Sequence, residues 1–514
     1  MDKIIKIGGA SINQTPINWE HNTGNIIAAI GEARRLNIEI LCLPELAVTG
    51  YGCEDLFLST WLPEKASAML EKVIPACHEI IAVVGLPVRE KNRLYNCACV
   101  IRDRKLIGIY VKKFLANEGV HYEPRWFSPR QSEDTIEISL LGEKIPFGDF
   151  QFDYRGVKIG FEICEDAWAG PDRPACRLLD MGVTLILNPS ASHFSMGKAL
   201  QRFDLVNKSS REFKCTYLYV NLLGNEAGRM IYDGEILIAQ EGRMISSNKL
   251  LSFRDINIVS ADINFSRPAL TGASGNPNNY DRNEEFTSAA SLGLFDYLRK
   301  SRNKGFVISL SGGADSSCCA VLVSEMAKRG TGELGIAGFL EKLGRPDIME
   351  SVKDLSPEAA VKKIVAQILA CAYQGSDNSS EETLASARAL TESIGAGFYS
   401  WEIAHEANSY REKIEKALNR PLTWSEDDIA LQNIQARARS PVIWLLANLN
   451  RSILITTSNR SEGDVGYATM DGDTSGSLAP IAAVDKHFLR QWLRWAEKEL
   501  NYPALAHVNR LVPT

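Results

Sequence analysis

The sequence predicts an α/β protein built as two successive units, and three observations carry that reading. Short runs rich in β-branched residues alternate with longer helical stretches through the first half. A break rich in Gly, Pro, Asn and Ser falls near residue 270, and beyond it a strand, a glycine-rich turn and an apolar helix follow one another directly. A chain of 514 residues is too long for one ordinary core, which agrees with more than one domain.

In the first half the strand candidates are IEILCLPEL, IIAVVGLPV, YNCACVIRD, VKIGFEIC, VTLILNPSA and TYLYVNLLG, at lengths that suit a buried sheet. The helical pattern TGNIIAAIGEARRLN precedes the first of them, as a layered α/β domain requires. SRPALTGASGNPNNYDRNEE has no periodicity, so residues 266–285 read as a linker between a domain at 1–265 and another at 286–514. After the linker come the strand GFVISL, the turn SGGADSS and a helix, CCAVLVSEMAKRG, expected to end at Gly330. The later strands are ILACAYQG, GFYSWEI and RSILITTSN, with helices between them that include IALQNIQARARSPVIWLLANLN. In such a parallel sheet ligands bind at the strand ends.

Composition is that of a globular protein, with 45% apolar and 23% charged residues. The net charge of −6 leaves no basic footprint and argues against nucleic acid as a partner. Eleven scattered cysteines without a CxxC pair read as free thiols in a reducing compartment, most of them small core residues. MDKIIKIGGASIN lacks signal-peptide architecture and no apolar run reaches bilayer length, so a soluble, cytoplasmic protein without membrane partners is expected.

GFEICEDAW sets Cys164 beside Glu162, Glu165 and Asp166, neighbours that oppose thiolate formation by like-charge repulsion. A thiol there is understandable if a positioned base removes its proton on demand. A thiol acting on an amide also needs a positive group for the developing oxyanion. Glu45 follows the strand ILCLP and is a plausible base, Lys112 in YVKKFLANEGVHYE is a cation for the oxyanion, and Glu123 lies further along. Taken singly, each has a plain reading: an acid after Leu-Pro as a helix cap, a lysine as a solvated charge, a strand-end cysteine as core.

In combination, LPELAVTGYGCEDLF, VKKFLANEGVHYEPRWF and GFEICEDAW resemble, in this order, the three signature segments of the nitrilase or carbon–nitrogen hydrolase family. The resemblance implies an αββα sandwich with Glu45 as general base, Lys112 as oxyanion-stabilising cation, Cys164 as nucleophile and Glu123 as a supporting acid. Lys112, not Lys113, stands three before the Leu that closes the lysine motif, and Ala116 stands where many relatives carry Pro. The acids beside Cys164 are left with two roles, shaping the pocket or binding the amine end of a substrate.

SLSGGADSSC follows a strand and opens a helix, the arrangement in which backbone N–H groups and the helix dipole bind phosphate. It lacks the Gly-Lys-Ser/Thr ending of a Walker loop. SGGADSS resembles the pyrophosphate-loop ATPases, a doubly wound, Rossmann-like fold that splits ATP between its α and β phosphates. That implies ATP contacts from Ser311, Gly312, Gly313, Asp315, Ser316 and Ser317. SDNSSEETLASARALTESIGA, ALQNIQARARS and TTSNRSEGDVGYATMDGD followed by APIAAVDK together look like NAD⁺ synthetases. The resemblance implies Mg²⁺ on Asp315 and Glu462, nucleotide contacts from Arg437 and Thr457, and Asp473 and Lys486 at the dinucleotide.

An amidase half followed by a pyrophosphate-loop half is the arrangement of the glutamine-dependent NAD⁺ synthetase family. It implies glutamine, ATP and deamido-NAD⁺ as substrates, Mg²⁺ without a prosthetic group, and a homo-oligomer. Asp471-Gly472-Asp473 departs from the family's usual YGD, SGSLAP lacks the acid many relatives place before Pro, and VNRLVPT stops before the family's further C-terminal stretch. Other readings are an amidotransferase for a different carboxylate, which QNIQARARS and NRSEGDVGYAT oppose, a plain amidase, and a non-catalytic scaffold, which Glu45, Lys112, Cys164 and Asp315 oppose.

Overall fold

The computed structural model of the chain describes residues 3–266, 281–376 and 379–511. It divides into two compact units, Met1–Glu285 and Phe286–Thr514. Most of the expected linker, residues 267–280, lies outside the described residues, and the helix Arg282–Ser301 begins inside the remainder. Glu284 and Glu285 in its first turn complement the positive helix end, so a polar stretch without an apolar period still starts a helix.

In the first unit two sheets face each other. One runs in the order Ile256–Asn264, Ile4–Ile12, Ile40–Cys42, Ile81–Glu90, Arg93–Arg102, Lys105–Val111, Glu143–Gly148, Thr135–Leu140. The other runs Arg243–Ser247, Ile236–Gln240, Thr216–Asn221, Leu185–Ser190, Val157–Phe161, Phe152–Tyr154. The two-residue period of a strand explains the stacking. In Ile81–Glu90, Ile81 and Val83 join Phe161, Leu187 and Val220 between the sheets, while Ala82, Val84 and Leu86 face the helices Trp19–Arg35 and Trp61–Val73. The outer face of the second sheet packs Ile186 and Tyr217 on Leu178 and Val206 of the helices Pro174–Asp180 and Lys198–Glu212. The layers are therefore αββα, as the motifs implied.

The second unit is a four-stranded parallel sheet in the order Gly397–Glu402, Leu369–Gly375, Phe306–Ser309, Ile453–Ile455. Val307, Ala372 and Leu454 pack on Ile443 and Ala447 of the helix Ser440–Leu449, and the helix Ala314–Leu343 contacts the strands Phe306–Ser309 and Leu369–Gly375. The first strand in sequence lies between the second and the fourth, so the strand order reverses beside it, which is where a doubly wound sheet opens a crevice.

The expected helix end at Gly330 is corrected: the helix passes through it, is interrupted at Gly335 with φ +72°, and closes at Gly344 in the left-handed conformation. An interior glycine costs about 1 kcal/mol, less than burying Phe339, Leu340 and Leu343 beyond it contributes. TYLYVNLLG also divides, into Thr216–Asn221 and Leu223–Asn225, which pair in different sheets.

One glycine links this packing to the chemistry below. A Cβ on Gly85 would come within 2.3 Å of Leu46 N and 2.5 Å of Pro44 O, the backbone on either side of Glu45. Gly85→Ala is expected to destabilise the first unit by about 1–3 kcal/mol, read as a lower denaturant midpoint. An unchanged midpoint would show that this contact does not constrain the Glu45 segment.

Candidate functional site

Glu45, Lys112 and Cys164 each follow a strand of the first unit. Pro44 has no N–H to extend the ladder of Ile40–Cys42, and Glu45 comes next. Lys112 follows Lys105–Val111, and Cys164 opens the 3₁₀ turn Cys164–Trp168 beyond Val157–Phe161. Cys164 holds φ +44°, a left-handed backbone that costs a non-glycine residue roughly 1–2 kcal/mol and marks a constrained position.

The structure brings all three together with Glu123. The Lys112 Nζ donates to Glu45 Oε1 at 2.6 Å and to Glu123 Oε1 at 2.8 Å, and all three side chains are fully enclosed. Asn96 Nδ2 donates to Glu45 Oε1 at 2.7 Å and the Ala191 N–H to Oε2 at 2.9 Å. The same Ala191 N–H reaches the Cys164 thiol, which sets thiol and carboxylate side by side. Glu123 accepts from the Tyr51 hydroxyl at 2.7 Å and from the Ala116 N–H at 3.1 Å. The Pro absent at position 116 would have removed that donor.

Electrostatics separate the roles. Burial, reinforced by Glu123 and opposed by Lys112 and Asn96, raises the Glu45 carboxyl to about 7. Burial works against the Lys112 ammonium, but Glu123 and Glu45 overcome it and hold its pKa well above the usual lysine value. Burial, followed by the charge of Glu45, pushes the Cys164 thiol up, with Lys112 opposing. At neutral pH the resting thiol is therefore protonated, with the Glu45 carboxyl as the neighbouring group able to accept its proton, while Lys112 carries a positive charge.

The acids of GFEICEDAW divide by position. Glu162 is wholly buried and accepts from Arg173 at 3.0 and 2.5 Å, from the Tyr217 hydroxyl at 2.6 Å and from the Ala175 N–H at 2.9 Å. Asp166 accepts the N–H groups of Ile163, Lys113 and Phe114 at 2.8, 3.0 and 2.8 Å, tying the cysteine turn to the segment after Lys112. Both shape the pocket. Glu165 is half-buried, and the charges acting on its carboxyl include Lys112, Glu123 and Lys198. The charges acting on Lys198 in turn include Cys164 and Glu165. Sequence reasoning missed Tyr51, Asn96, Ala191 and Lys198; Tyr51 lies within the segment LPELAVTGYGCEDLF, but the contacts of all four are set only when the fold joins distant segments.

The second cluster lies at the crevice of the parallel sheet. In SGGADSS, Gly312 takes φ +80° and a Cβ there would stand 2.2 Å from Thr383 O, so no other residue fits this turn. Gly313 caps the helix that starts at Ala314. The Ser311 and Ser316 hydroxyls meet at 3.2 Å, whereas Ser317 is wholly buried and its hydroxyl has no hydrogen-bond partner among the described residues. Asp315 accepts from Lys486 Nζ and, at 3.0 Å, from Asn459 Nδ2. Asn459 and Glu462 form a reciprocal cap at the helix Arg460–Val465, and Glu462 Oε1 lies 3.4 Å from Lys486 Nζ. Two oxygen-donor carboxylates thus meet with a cation already bridging them, a donor set that suits a hard divalent ion.

Thr457 is half-buried beside this cluster in sequence. Arg437 is exposed and donates to Met470 O at 3.0 Å. Asp473 joins a separate network, its Oδ2 accepting from the Thr469 N–H at 3.0 Å and its backbone oxygen from Thr456 Oγ1 at 2.9 Å. Asp473 and Lys486, expected at one substrate, belong to different networks: Asp473 bonds to Thr469, and Lys486 to Asp315 and Glu462.

The family model for carbon–nitrogen hydrolases matches residues 7–270, and that for NAD synthase matches residues 287–505. A crystal structure of a glutamine-dependent NAD(+) synthetase from Cytophaga hutchinsonii is 51% identical, with a TM-score of 0.91, over 100% of this chain and 84% of that one. A glutamine-dependent NAD(+) synthetase of Arabidopsis thaliana is 28% identical over 100% of this chain and 79% of its own length. The enzyme of that description from Acinetobacter baumannii, solved in complex with ADP, is 22% identical and shares the fold at a TM-score of 0.79, over 99% of this chain and 85% of that one.

The thiol–carboxylate pair makes a prediction independent of any substrate. Only ionised Glu45 can take the Cys164 proton, so the rate of Cys164 alkylation by iodoacetamide is expected to rise with pH through an inflection near 7. Below that value the protonated carboxyl blocks transfer and the rate falls about tenfold per pH unit. In Glu45→Gln the inflection should vanish; an unaltered profile would remove Glu45 as the base.

Proposed function

The chain belongs to the glutamine-dependent NAD(+) synthetase family, and on that premise we propose how its own residues carry out the two reactions. It is an ATP-dependent ligase that draws nitrogen from glutamine: glutamine is hydrolysed to glutamate and ammonia, and deamido-NAD⁺ is amidated to NAD⁺ as ATP yields AMP and pyrophosphate.

In the first unit Glu45 removes the Cys164 proton as sulfur attacks the side-chain amide carbon of glutamine. Lys112 faces the developing oxyanion, and its charge is preorganised because Glu45 and Glu123 already hold it. Protonated Glu45 passes the proton to the leaving nitrogen, giving ammonia and a glutamyl thioester. Glu45 then activates water, and hydrolysis regenerates the thiol. Glu165 and Lys198 offer complementary charges for the α-amino and α-carboxylate groups of the substrate. The observation that carries the assignment is the enclosed Glu45–Lys112–Glu123 network beside a strained, buried Cys164.

In the second unit the SGGADSS turn presents N–H groups at a helix start to ATP phosphates. A carboxylate cannot accept ammonia unactivated, and adenylation of the nicotinate carboxylate supplies AMP as leaving group. Asp315 and Glu462 would hold magnesium, which would screen the phosphate charge. Ser311 lies at the loop surface for the phosphates with the Ser316 hydroxyl 3.2 Å behind it, while buried Ser316 and Ser317 support the turn. Thr457 and Arg437 are assigned to nucleotide, and Asp473 and Lys486 to the dinucleotide, with Lys486 also neutralising the Asp315–Glu462 pair.

A cytoplasmic homo-oligomer is part of the same reading. All eleven cysteines are free, which suits a reducing compartment, and no described helix is long and apolar enough to cross a membrane. In the second unit Tyr410, Ile414, Leu418 and Ile429 leave large apolar side chains exposed, as a subunit contact would require; sedimentation of the purified chain tests this.

The deciding assay measures NAD⁺ formation from ATP and deamido-NAD⁺ with either glutamine or ammonium as donor. Cys164→Ala is expected to lose the glutamine-dependent rate by at least about a thousandfold and to keep the ammonium-dependent rate. Asp315→Asn should lose both. Glutamine-dependent synthesis persisting in Cys164→Ala would overturn the nucleophile, and glutamine hydrolysis without NAD⁺ from either donor would overturn the acceptor.

A further inference from the structure

A hydrogen-bonded chain leads out of the amidase cluster through residues that the steps above do not use. Tyr51, whose hydroxyl lies 2.7 Å from Glu123 Oε1, is also 2.9 Å from His121 Nδ1, and His121 Nε2 is 2.8 Å from His193 Nδ1. Tyr51 and Glu123 are buried, His121 and His193 are half-buried, and His193 stands two residues before the exposed Ser195. The chain therefore starts at an enclosed carboxylate and ends where water can reach it.

The reaction needs such an outlet. Hydrolysis of the thioester, Cys–S–C(O)R + H₂O → Cys–SH + RCOO⁻ + H⁺, releases one proton for each ammonia. Ammonia has already been freed in the acylation step, so a proton left behind in deacylation would keep Glu45 protonated and unable to take the Cys164 proton in the next turnover.

We propose that Tyr51, His121 and His193 form a proton-exit relay that carries the deacylation proton from Glu123 to solvent, so that Glu45 is ionised again for the next turnover. The proposal rests on the assignment of Cys164, Glu45 and Lys112 given above. Lys112 donates to both carboxylates, so it delivers a proton to Glu123 and takes one from Glu45 while remaining an ammonium. Protonated Glu123 gives its proton to the Tyr51 oxygen, the Tyr51 hydroxyl proton moves to His121 Nδ1, the His121 Nε2 proton moves to His193 Nδ1, and His193 Nε2 releases one to water. Every group loses and gains one proton. The hop leaves all donors pointing inward, the arrangement that fits an ionised Glu123, and tautomer exchange at the half-exposed rings resets it.

Two-way relaying requires imidazoles that stay neutral. Burial first, then Lys198 and Lys112, lowers His121 to about 4. Burial first, then Lys198, His121 and Arg202, lowers His193 to about 4, with Asp233 opposing. Lys198 Nζ also lies 3.3 Å from His193 Nδ1, close enough to disfavour a resident charge there.

The test compares glutamine hydrolysis by wild type, His121→Ala, His193→Ala and His121→Gln, the last retaining hydrogen-bonding groups but no titratable ring. All three variants are expected to lose roughly ten- to a hundredfold in kcat, with KM for glutamine within about twofold and ammonium-dependent NAD⁺ synthesis unchanged. Rapid mixing should show ammonia released in a burst ahead of glutamate. Added imidazole should restore kcat saturably in the two alanine variants, and substituted imidazoles should do so in order of their pKa, a response that a merely structural role would not give. Unchanged kcat, a loss that no imidazole restores, or a rise in KM at constant kcat would each overturn the relay. Cys164→Ala run alongside separates the two claims: if it still hydrolyses glutamine, the site assignment has failed and the relay falls with it.

Discussion

The ammonium of Lys112, held between Glu45 and Glu123 without exposure to water, is the interaction on which the first unit depends. Each buried ion forgoes several kcal/mol of solvation, which only close geometry and further hydrogen bonds offset. The fold supplies them from distant segments: Asn96 and the Ala191 N–H on Glu45, Tyr51 and the Ala116 N–H on Glu123. Two carboxylates and one ammonium leave the cluster with a net negative charge, so a resident thiolate would be a second uncompensated anion. Proton transfer from Cys164 to Glu45 conserves the total charge, which is why the thiol can rest protonated and still be activated.

The second unit uses the same elements under looser conditions. Lys486 bridges Asp315 and Glu462, but the three side chains are about one-fifth exposed, at 26%, 17% and 25%. Water and incoming phosphate can rearrange such a cluster at low cost, whereas the Lys112 network has one arrangement. That contrast matches the chemistry: the amidase needs a fixed oxyanion site, and the ligase must admit a nucleotide and a dinucleotide in turn. Both clusters sit where strands end, because backbone groups left unpaired there and the adjoining loops can face a ligand.

The strand ends and the clustering of the candidate residues were legible in the sequence because those residues travel inside segments with their own pattern. Glu45 follows Leu-Pro after a strand, Lys112 closes another, and SGGADSS separates a strand from a helix. What could not be read was pairing across distance. Glu162 and Asp166 look alike beside Cys164, and only the fold gives one to Arg173 and the other to the N–H groups of Lys113 and Phe114. His121 and His193, 72 residues apart, carry no local signal of their 2.8 Å contact. Gly330 failed as a helix stop because buried residues further on outweighed a local preference. Arg282 failed as linker because a helix start tolerates polar sequence.

If Lys112 both neutralises the buried carboxylates and serves the oxyanion, the two roles can be pulled apart by comparing Lys112→Met with Lys112→Met/Glu123→Gln. The single variant faces two carboxylates across an apolar side chain and should lose roughly 3–5 kcal/mol of stability. The double variant removes one of the charges and should recover most of that loss in a denaturant titration, yet hydrolyse glutamine no better than the single variant. A double variant both stable and active, or a Lys112→Met protein that still releases glutamate at the wild-type rate, would contradict the account.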